Sequence, residues 1–227
     1  MTTKLIETTK YLKGKGIINP EIGIVLGTGL GGLTKEIEVE KTINYADIPH
    51  FPLSTVESHS GKLIYGKLGN KKIIAMQGRF HYYEGYSLQQ VTYPIRVMKL
   101  LGLKFLLLSN AAGAMNTEFK KASLMLITDH INLLPQNPLT GINLDDFGPR
   151  FPDMSKAYSP EINQIIESNA NKLDIKLNKG IYVVVAGPNL ETPALKKVEL
   201  SEILEVAAKA EIQLIKLFKA VISEMVI

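Results

Sequence analysis

The sequence contains no cysteine, no tryptophan and no apolar run long enough to cross a membrane. Without cysteine there is no disulfide, no thiolate nucleophile and no thiolate metal ligand, so we expect a cytoplasmic protein. A membrane-spanning helix needs about 20 consecutive apolar residues, and their absence predicts that the chain has no membrane partner. Residues 1–10 also lack the apolar segment of a signal peptide.

The sequence also lacks any block of basic residues. Its net charge is +4 over 227 residues, and the lysines are scattered, so we predict no nucleic-acid partner. A mild positive bias still suits a small anionic substrate. Hydrophobic residues make up 45% and charged residues 21%, a composition typical of an ordered globular protein. The length predicts one domain with a large core.

A glycine-rich loop follows the first apolar segment. Residues 22–26 predict a short buried strand, and Gly27-Thr-Gly-Leu-Gly-Gly32 comes directly after it. Glycines let backbone N–H groups surround an anion, and Thr28 adds a hydroxyl donor. The spacing also satisfies the dinucleotide pattern G-x-G-x-x-G, but no acidic residue ends a second strand about 20 residues later. We rank a phosphate loop above a dinucleotide loop, and a purely structural turn stays open.

A second polar cluster follows a predicted hairpin over residues 62–76, whose antiparallel strands indicate a mixed sheet. The cluster is Gln77-Gly-Arg-Phe-His-Tyr-Tyr-Glu-Gly-Tyr86, and it stands at a strand end, where open α/β sheets hold their ligands. Arg79 offers a planar fork suited to an oxyanion, and His81 and Glu84 can tune one another's charge. A surface turn rich in aromatic residues is the alternative interpretation.

Three further loop residues or segments have site-type chemistry, each with an ordinary alternative. His59 precedes the hairpin, although a lone loop histidine is more often simply solvated. Ser109-Asn-Ala-Ala-Gly113 follows an apolar strand, and its small residues admit either a ligand or a packed helix. Glu191 lies past a predicted strand over residues 181–186, where it can serve a ligand or favour a helix N-terminus.

The middle of the chain contains a long stretch without periodicity, over residues 134–160. Such a stretch is typically functional, an interface or disordered, and its segment Gly148-Pro-Arg-Phe-Pro152 suits a lid or a subunit contact. Pro94 predicts an irregularity in its helix. The other predicted elements are helices over residues 4–15, 87–101 and 160–173 and strands over residues 105–108 and 124–127.

Six motifs, taken in order, resemble those of the trimeric purine nucleoside phosphorylases. They are Gly27-Thr-Gly-Leu-Gly-Gly32, Ser58-His-Ser-Gly61, Gly78-Arg-Phe-His-Tyr-Tyr-Glu-Gly-Tyr86, Asn110-Ala-Ala-Gly113, Gly148-Pro-Arg-Phe-Pro152 and Gly187-Pro-Asn-Leu-Glu-Thr-Pro193. The related methylthioadenosine phosphorylases fit less well at residues 80–86. The resemblance covers residues 1–194 and implies an α/β fold, a mixed β-sheet flanked by helices, in a single domain over residues 1–227.

The resemblance also implies a reaction and a site. It implies that phosphate cleaves purine ribonucleosides or deoxyribonucleosides, such as inosine and guanosine, to free base and ribose 1-phosphate in purine salvage. Phosphate would be a co-substrate, with no cofactor and no metal, in a homotrimer. The implied residues are His81 and Glu191 for catalysis, Thr28, His59, Arg79, His81 and the Ala111 backbone for phosphate, and Tyr83, Phe151 and Glu191 for the nucleoside. Phe151 would reach a neighbouring subunit's site, and Glu191 would accept a bond from N1–H of a 6-oxopurine.

The resemblance stops after Ala194. An unbroken helix over residues 193–224 would be about 48 Å long, too long for a domain whose radius of gyration is roughly 17 Å. The family continues through further strands and helices before a last helix that resembles residues 198–225, so a segment has no counterpart here. An omitted segment, an internal deletion and a shortened homologue that binds phosphate or purine without turnover stay open. An NAD-dependent oxidoreductase rests only on Gly27, Gly29 and Gly32.

Overall fold

A computed structural model describes residues 2–27, 31–53, 61–187 and 200–226, with only the backbone described over 200–205. Its contacts divide the chain into two compact units. The first contains Met1–Asn110, Gln136–Pro152 and Ile227, and the second contains Ala111–Pro135 and Asp153–Val226. The single domain over residues 1–227 stays a prediction.

The first unit is built on a five-stranded mixed sheet. Its strands are β1 (Ile22–Leu26), β2 (Glu38–Asn44), β3 (Lys62–Leu68), β4 (Lys71–Gln77) and β5 (Phe105–Leu108). Their order is β2-β3-β4-β1-β5. Strand β1 is parallel to its neighbours β4 and β5, whereas β3 is antiparallel to both β2 and β4. Every residue of β1 is buried, as its continuous apolar run predicted for a central strand. The predicted mixed sheet is confirmed.

Strand β2 was not predicted, and its position explains why. Of its seven residues only Ile43 is buried, because the strand lies at the edge of the sheet with its other side chains exposed. Such a strand has no apolar periodicity to detect. Its place also contradicts the dinucleotide interpretation, because β3 and β4 separate β2 from β1, whereas that fingerprint requires the first two strands to form one βαβ unit.

Helices α1 (Thr2–Gly14), α2 (Leu88–Val91) and α3 (Tyr93–Leu101) complete the first unit. Ser87 and Gln90 form the capping box that starts α2, as the sequence pattern indicated. The predicted helix over residues 87–101 is interrupted at Thr92, next to Pro94, which lacks the N–H that an unbroken helix requires. Helix α1 packs against α3 through buried leucines and Val97.

Two corrections concern the second unit, whose two-stranded parallel sheet pairs β6 (Leu124–Asn132) with β7 (Leu177–Val184). Strand β6 runs five residues past the predicted end at Ile127, because backbone pairing to β7 continues through its polar half. Strand β7 begins at Leu177, before the predicted start at Ile181, because residues 177–180 pair with β6 although they form no apolar run. One face exposes apolar side chains by 38–61%: Ile131, Leu133, Ile181, Val183 and Val185.

Helices α4 (Pro160–Lys172) and α5 (Leu200–Glu224) pack together in the second unit. Glu224 accepts bonds from Asn169 at 3.0 Å and from Lys172 at 2.6 Å, which joins the ends of the two helices. Helix α5 agrees with the predicted last helix over residues 198–225. The predicted helix start at Thr192 and Pro193 lies outside the described residues. None of the helices within the described ranges is long and apolar enough to cross a membrane.

Residues 136–152 of the aperiodic stretch belong to the first unit and contain one short 3-10 turn, Asp145–Phe147. Arg150 donates to the carbonyls of Leu139 and Gly141 at 3.0 and 2.7 Å. The guanidinium of Arg96 also lies 5.4 Å from the ring centroid of Phe147. These contacts give the loop a defined backbone without secondary structure.

Candidate functional site

Three parallel strands of the first unit end at the same edge of the sheet. Leu26 at the end of β1 is paired with Gln77 at the end of β4, and Val25 is paired with Leu108 at the end of β5. The loops that follow these strands therefore start side by side. In open α/β sheets, ligands bind at this carboxyl edge.

Gly27, the first residue after β1, lies too close to the β5 loop to carry a side chain. A Cβ atom there would lie 2.7 Å from the Ser109 carbonyl oxygen and 2.8 Å from the Asn110 Cα. Both atoms belong to the backbone, so a side chain would force the two strand ends apart. Close packing therefore requires glycine at position 27, whatever the rest of the loop does.

Arg79 brings a positive charge to this edge. It follows Gly78, whose carbonyl accepts a 2.7 Å bond from the buried hydroxyl of Tyr45. The Nη1 atom of Arg79 donates to the Ser109 carbonyl at 3.3 Å, so the guanidinium spans from the end of β4 to the end of β5. This places the cation across the end of β1, which lies between β4 and β5.

His81 lies between Arg79 and Glu84 and is bonded to both. Nε of Arg79 donates to Nε2 of His81 at 3.2 Å. Because Nε2 accepts, the imidazole proton is assigned to Nδ1, which donates to Oε1 of Glu84 at 2.7 Å. The arrangement holds a neutral imidazole in one tautomer and one orientation.

Glu84, which the sequence analysis paired with His81, had no place among the implied site residues. Its side chain is 3% exposed, and Oε1 also accepts from the backbone N–H of His81 at 2.8 Å. The signal was present in the sequence, since a histidine followed three residues later by glutamate fits the spacing of a capping box. A buried carboxylate with two N–H donors is a structural anchor for the imidazole above it.

Tyr83 covers the outer face of His81. The two rings stack with centroids 4.8 Å apart and an interplanar angle of 14°. Burial raises the pKa of the Tyr83 phenol, Glu84 raises it further, and Arg79 opposes both. The phenol is therefore neutral at neutral pH and, being 47% exposed, is accessible as a hydrogen-bonding group.

The other predicted site residues divide by location. Phe151 belongs to the first unit, next to the anchored Arg150, and is 87% exposed. Ala111 is the first residue of the second unit. Thr28, His59 and Glu191 lie outside the described residues. The structure thus brings together Arg79, His81 and Tyr83, with Glu84 added.

Chemically, this edge of the sheet offers a guanidinium, a neutral imidazole and a neutral phenol within one turn. A guanidinium binds oxyanions through a planar pair of N–H groups, and the imidazole and phenol donate or accept hydrogen bonds. Within the described ranges there is no cluster of three or more His, Asp or Glu side chains able to hold a metal ion. The arrangement is that of an anion site next to a hydroxyl-binding group.

Comparison with known proteins assigns the chain to a family. Residues 21–225 match the Phosphorylase superfamily. Purine nucleoside phosphorylase 1 of Bacillus subtilis is 50% identical over 194 residues, which cover 86% of this chain and 72% of that protein.

Solved structures agree. Isoform 2 of purine nucleoside phosphorylase from Schistosoma mansoni, in complex with cytosine and ribose-1-phosphate, has a TM-score of 0.93 at 34% identity over 99% of this chain and 97% of that chain. A Schistosoma purine nucleoside phosphorylase in complex with hypoxanthine has a TM-score of 0.91 at 32% identity, over 98% of this chain and 97% of that chain. The predicted fold and family are confirmed. The chain belongs to the phosphorylase superfamily and, within it, to the purine nucleoside phosphorylases, a family of glycosyltransferase enzymes.

Proposed function

We propose that this chain catalyses the phosphorolysis of purine ribonucleosides or deoxyribonucleosides, with inosine and guanosine as substrates, in purine salvage. A phosphate oxygen bonds to the anomeric carbon as the bond to the purine nitrogen breaks. The electron pair leaves with the purine, which takes a proton, and the products are free base and ribose 1-phosphate. The observation that carries the proposal is the bonded series Arg79, His81 and Glu84 at the carboxyl edge of the sheet.

In this proposal phosphate binds beside Arg79 and His81. The guanidinium supplies charge and direction, because its carbonyl partner at Ser109 fixes its plane. The bond from Nδ1 to Glu84 fixes the imidazole ring, so that Nε2 can accept a hydrogen bond from a protonated phosphate oxygen in place of the bond from Arg79. Thr28, His59 and the backbone at Ala111 are the remaining proposed phosphate ligands.

The nucleoside binds over the outer side of the same turn. The exposed hydroxyl of Tyr83 is suited to a ribose hydroxyl, and its stacking on His81 joins the ribose and phosphate parts of the site. Glu191 is proposed to accept a bond from N1–H of the purine, which selects 6-oxopurines because adenine lacks that hydrogen. A relative of known structure binds hypoxanthine, a 6-oxopurine.

We further propose a homotrimer in which Phe151 enters the site of a neighbouring subunit. An 87% exposed phenylalanine beside an arginine that is bonded to two carbonyls is an apolar group presented outward on a fixed backbone. The reaction as written needs phosphate as co-substrate and no cofactor. The cytoplasmic location stays a prediction from the absence of cysteine.

One observation favours a second candidate, a homologue that binds phosphate or purine without turnover. The two-stranded sheet of the second unit exposes five apolar side chains on one face, and such a pair of strands is marginally stable without further partners. The matched region also covers 72% of the Bacillus subtilis relative. Both facts agree with a segment after Ala194 that the Bacillus subtilis relative has and this chain lacks.

The two candidates are separated by turnover. The chain is incubated with inosine and inorganic phosphate, and hypoxanthine is measured by absorbance or chromatography, with a phosphate-free reaction as control. Phosphate-dependent release of hypoxanthine supports the enzyme. Binding of phosphate and hypoxanthine in a calorimeter without any release supports the second candidate, and the absence of both overturns each.

A further inference from the structure

The hydroxyl of Tyr86 is bonded to both backbone groups of a residue 33 positions earlier. It accepts from the N–H of Leu53 at 3.2 Å and donates to the carbonyl of Leu53 at 2.7 Å. A tyrosine hydroxyl that bonds both the N–H and the carbonyl of the same residue holds the backbone of that residue in position and in orientation.

The ring of Tyr86 is itself held. It meets Phe80 edge to face, with centroids 6.0 Å apart and planes at 76°. Phe80 is buried, and its ring centroid lies 5.2 Å from the ring centroid of Tyr45, which is also buried. Phe80 and Tyr86 thus bracket the turn that carries His81, and Gly85, at φ 92°, turns the chain so that Tyr86 can return to this cluster.

The segment that Tyr86 holds is fixed at its other end. Phe51 contacts Tyr45 at 5.6 Å and Tyr93 at 6.1 Å between ring centroids. The carbonyl of Pro49 accepts a 2.7 Å bond from the hydroxyl of Thr8 on α1. Residues 49–51 are therefore anchored to the core. The Tyr86 hydroxyl joins Leu53, two residues further on, to the turn over residues 79–86.

We propose that Tyr86 is a positioning residue for the phosphate site. Its hydroxyl fixes the turn that presents Arg79 and His81 against the backbone of Leu53, which precedes His59 by six positions in the sequence. It acts through these neighbours and does not touch the substrate. The inference rests on the proposed function, since it takes the turn to be one side of a phosphate site.

The test is Tyr86→Phe, with Tyr65→Phe as the matched control. Both changes delete a hydroxyl that is bonded to the backbone. Tyr65 lies on strand β3, and its hydroxyl donates to the Ile18 carbonyl at 2.8 Å. Steady-state phosphorolysis of inosine is measured with varied phosphate. We expect Tyr86→Phe to raise the KM for phosphate about fivefold, the effect of one lost hydrogen bond, with kcat within twofold of the original protein.

A merely structural role would affect both variants in the same way. We therefore expect both to lower the midpoint of thermal unfolding but Tyr65→Phe to leave the KM for phosphate unchanged. The proposal is overturned if Tyr86→Phe keeps its KM for phosphate within twofold, or if Tyr65→Phe raises it equally.

A second readout separates this inference from the proposed reaction. If the original chain releases no hypoxanthine, phosphorolysis is wrong, and titration of inorganic phosphate in a calorimeter then decides the role of Tyr86. Weaker phosphate binding by Tyr86→Phe than by Tyr65→Phe supports positioning. Equal binding, or none by the original chain, overturns it.

Discussion

Replacing Glu84 by glutamine tests whether a buried carboxylate sets the orientation of His81. The carboxylate accepts from the His81 backbone N–H at 2.8 Å and from Nδ1 at 2.7 Å, and its side chain is 3% exposed. Glutamine has nearly the same shape but carries no charge. The substitution therefore changes the strength of the two bonds more than the packing around them.

The magnitude follows from the two bonds. Hydrogen bonds to a charged group contribute about 1.5–3 kcal/mol and neutral ones about 0.5–1.5 kcal/mol, so two weakened bonds lower the free energy of unfolding by about 2 kcal/mol. For a chain of this size the midpoint of thermal unfolding then falls by roughly 4–8 °C. Looser orientation of His81 lowers kcat/KM about tenfold, the equivalent of about 1.4 kcal/mol.

The assay combines thermal unfolding with steady-state phosphorolysis of inosine. Glu40→Gln is the control, because Glu40 is exposed on the edge strand β2 and the chemical change is the same. We expect Glu40→Gln to keep the midpoint of thermal unfolding and the kcat/KM of the original chain. If Glu84→Gln keeps kcat/KM within twofold and unfolds at the original temperature, the carboxylate does not orient His81 and this reasoning is wrong.

Two further predictions concern packing and pH. Gly27→Ala places a Cβ 2.7 Å from the Ser109 carbonyl oxygen, so we expect a loss of about 1–3 kcal/mol in urea unfolding, whereas Gly14→Ala, with open space around its Cβ, is neutral or stabilising. The bond from Lys172 holds the pKa of Glu224 below its usual range. That stability is present above the ordinary glutamate pKa and is lost as pH falls through the lowered value, so Glu224→Gln is less stable than the original chain at about pH 7 and equal to it in strong acid. The second prediction is contradicted if the difference in stability between Glu224→Gln and the original chain is the same at neutral pH and in strong acid.

The strands of the first sheet that the sequence predicted are those with a continuous apolar run. All five residues of β1 are buried, and the apolar runs of β3 and β4 carry the same signal. Strand β2 gave no signal because a single buried residue has no period. The polar half of β6 was missed for a related reason, since its pairing to β7 depends on backbone groups that the side chains do not reveal.

The sequence predicted only part of the site, because some of its residues have no local sequence signal. Arg79 and His81 stood out because charged and titratable side chains directly after a buried strand have few structural explanations. The role of Tyr86 was not predicted, because its partner is the backbone of Leu53 and nothing local marks a contact across 33 residues. The predictions for Thr28, His59 and Glu191 fall outside the described residues and stay predictions.

The most direct test of the account is whether Arg79 binds inorganic phosphate. Phosphate is titrated calorimetrically into the original chain, Arg79→Gln and, as control, Arg96→Gln, whose guanidinium lies over the ring of Phe147. We predict that the original chain and Arg96→Gln bind phosphate alike, and that Arg79→Gln binds at least about tenfold more weakly because charge-assisted hydrogen bonds are lost. Equal binding by Arg79→Gln and the original chain, or no binding by the original chain, would contradict a phosphate site at the carboxyl edge of this sheet.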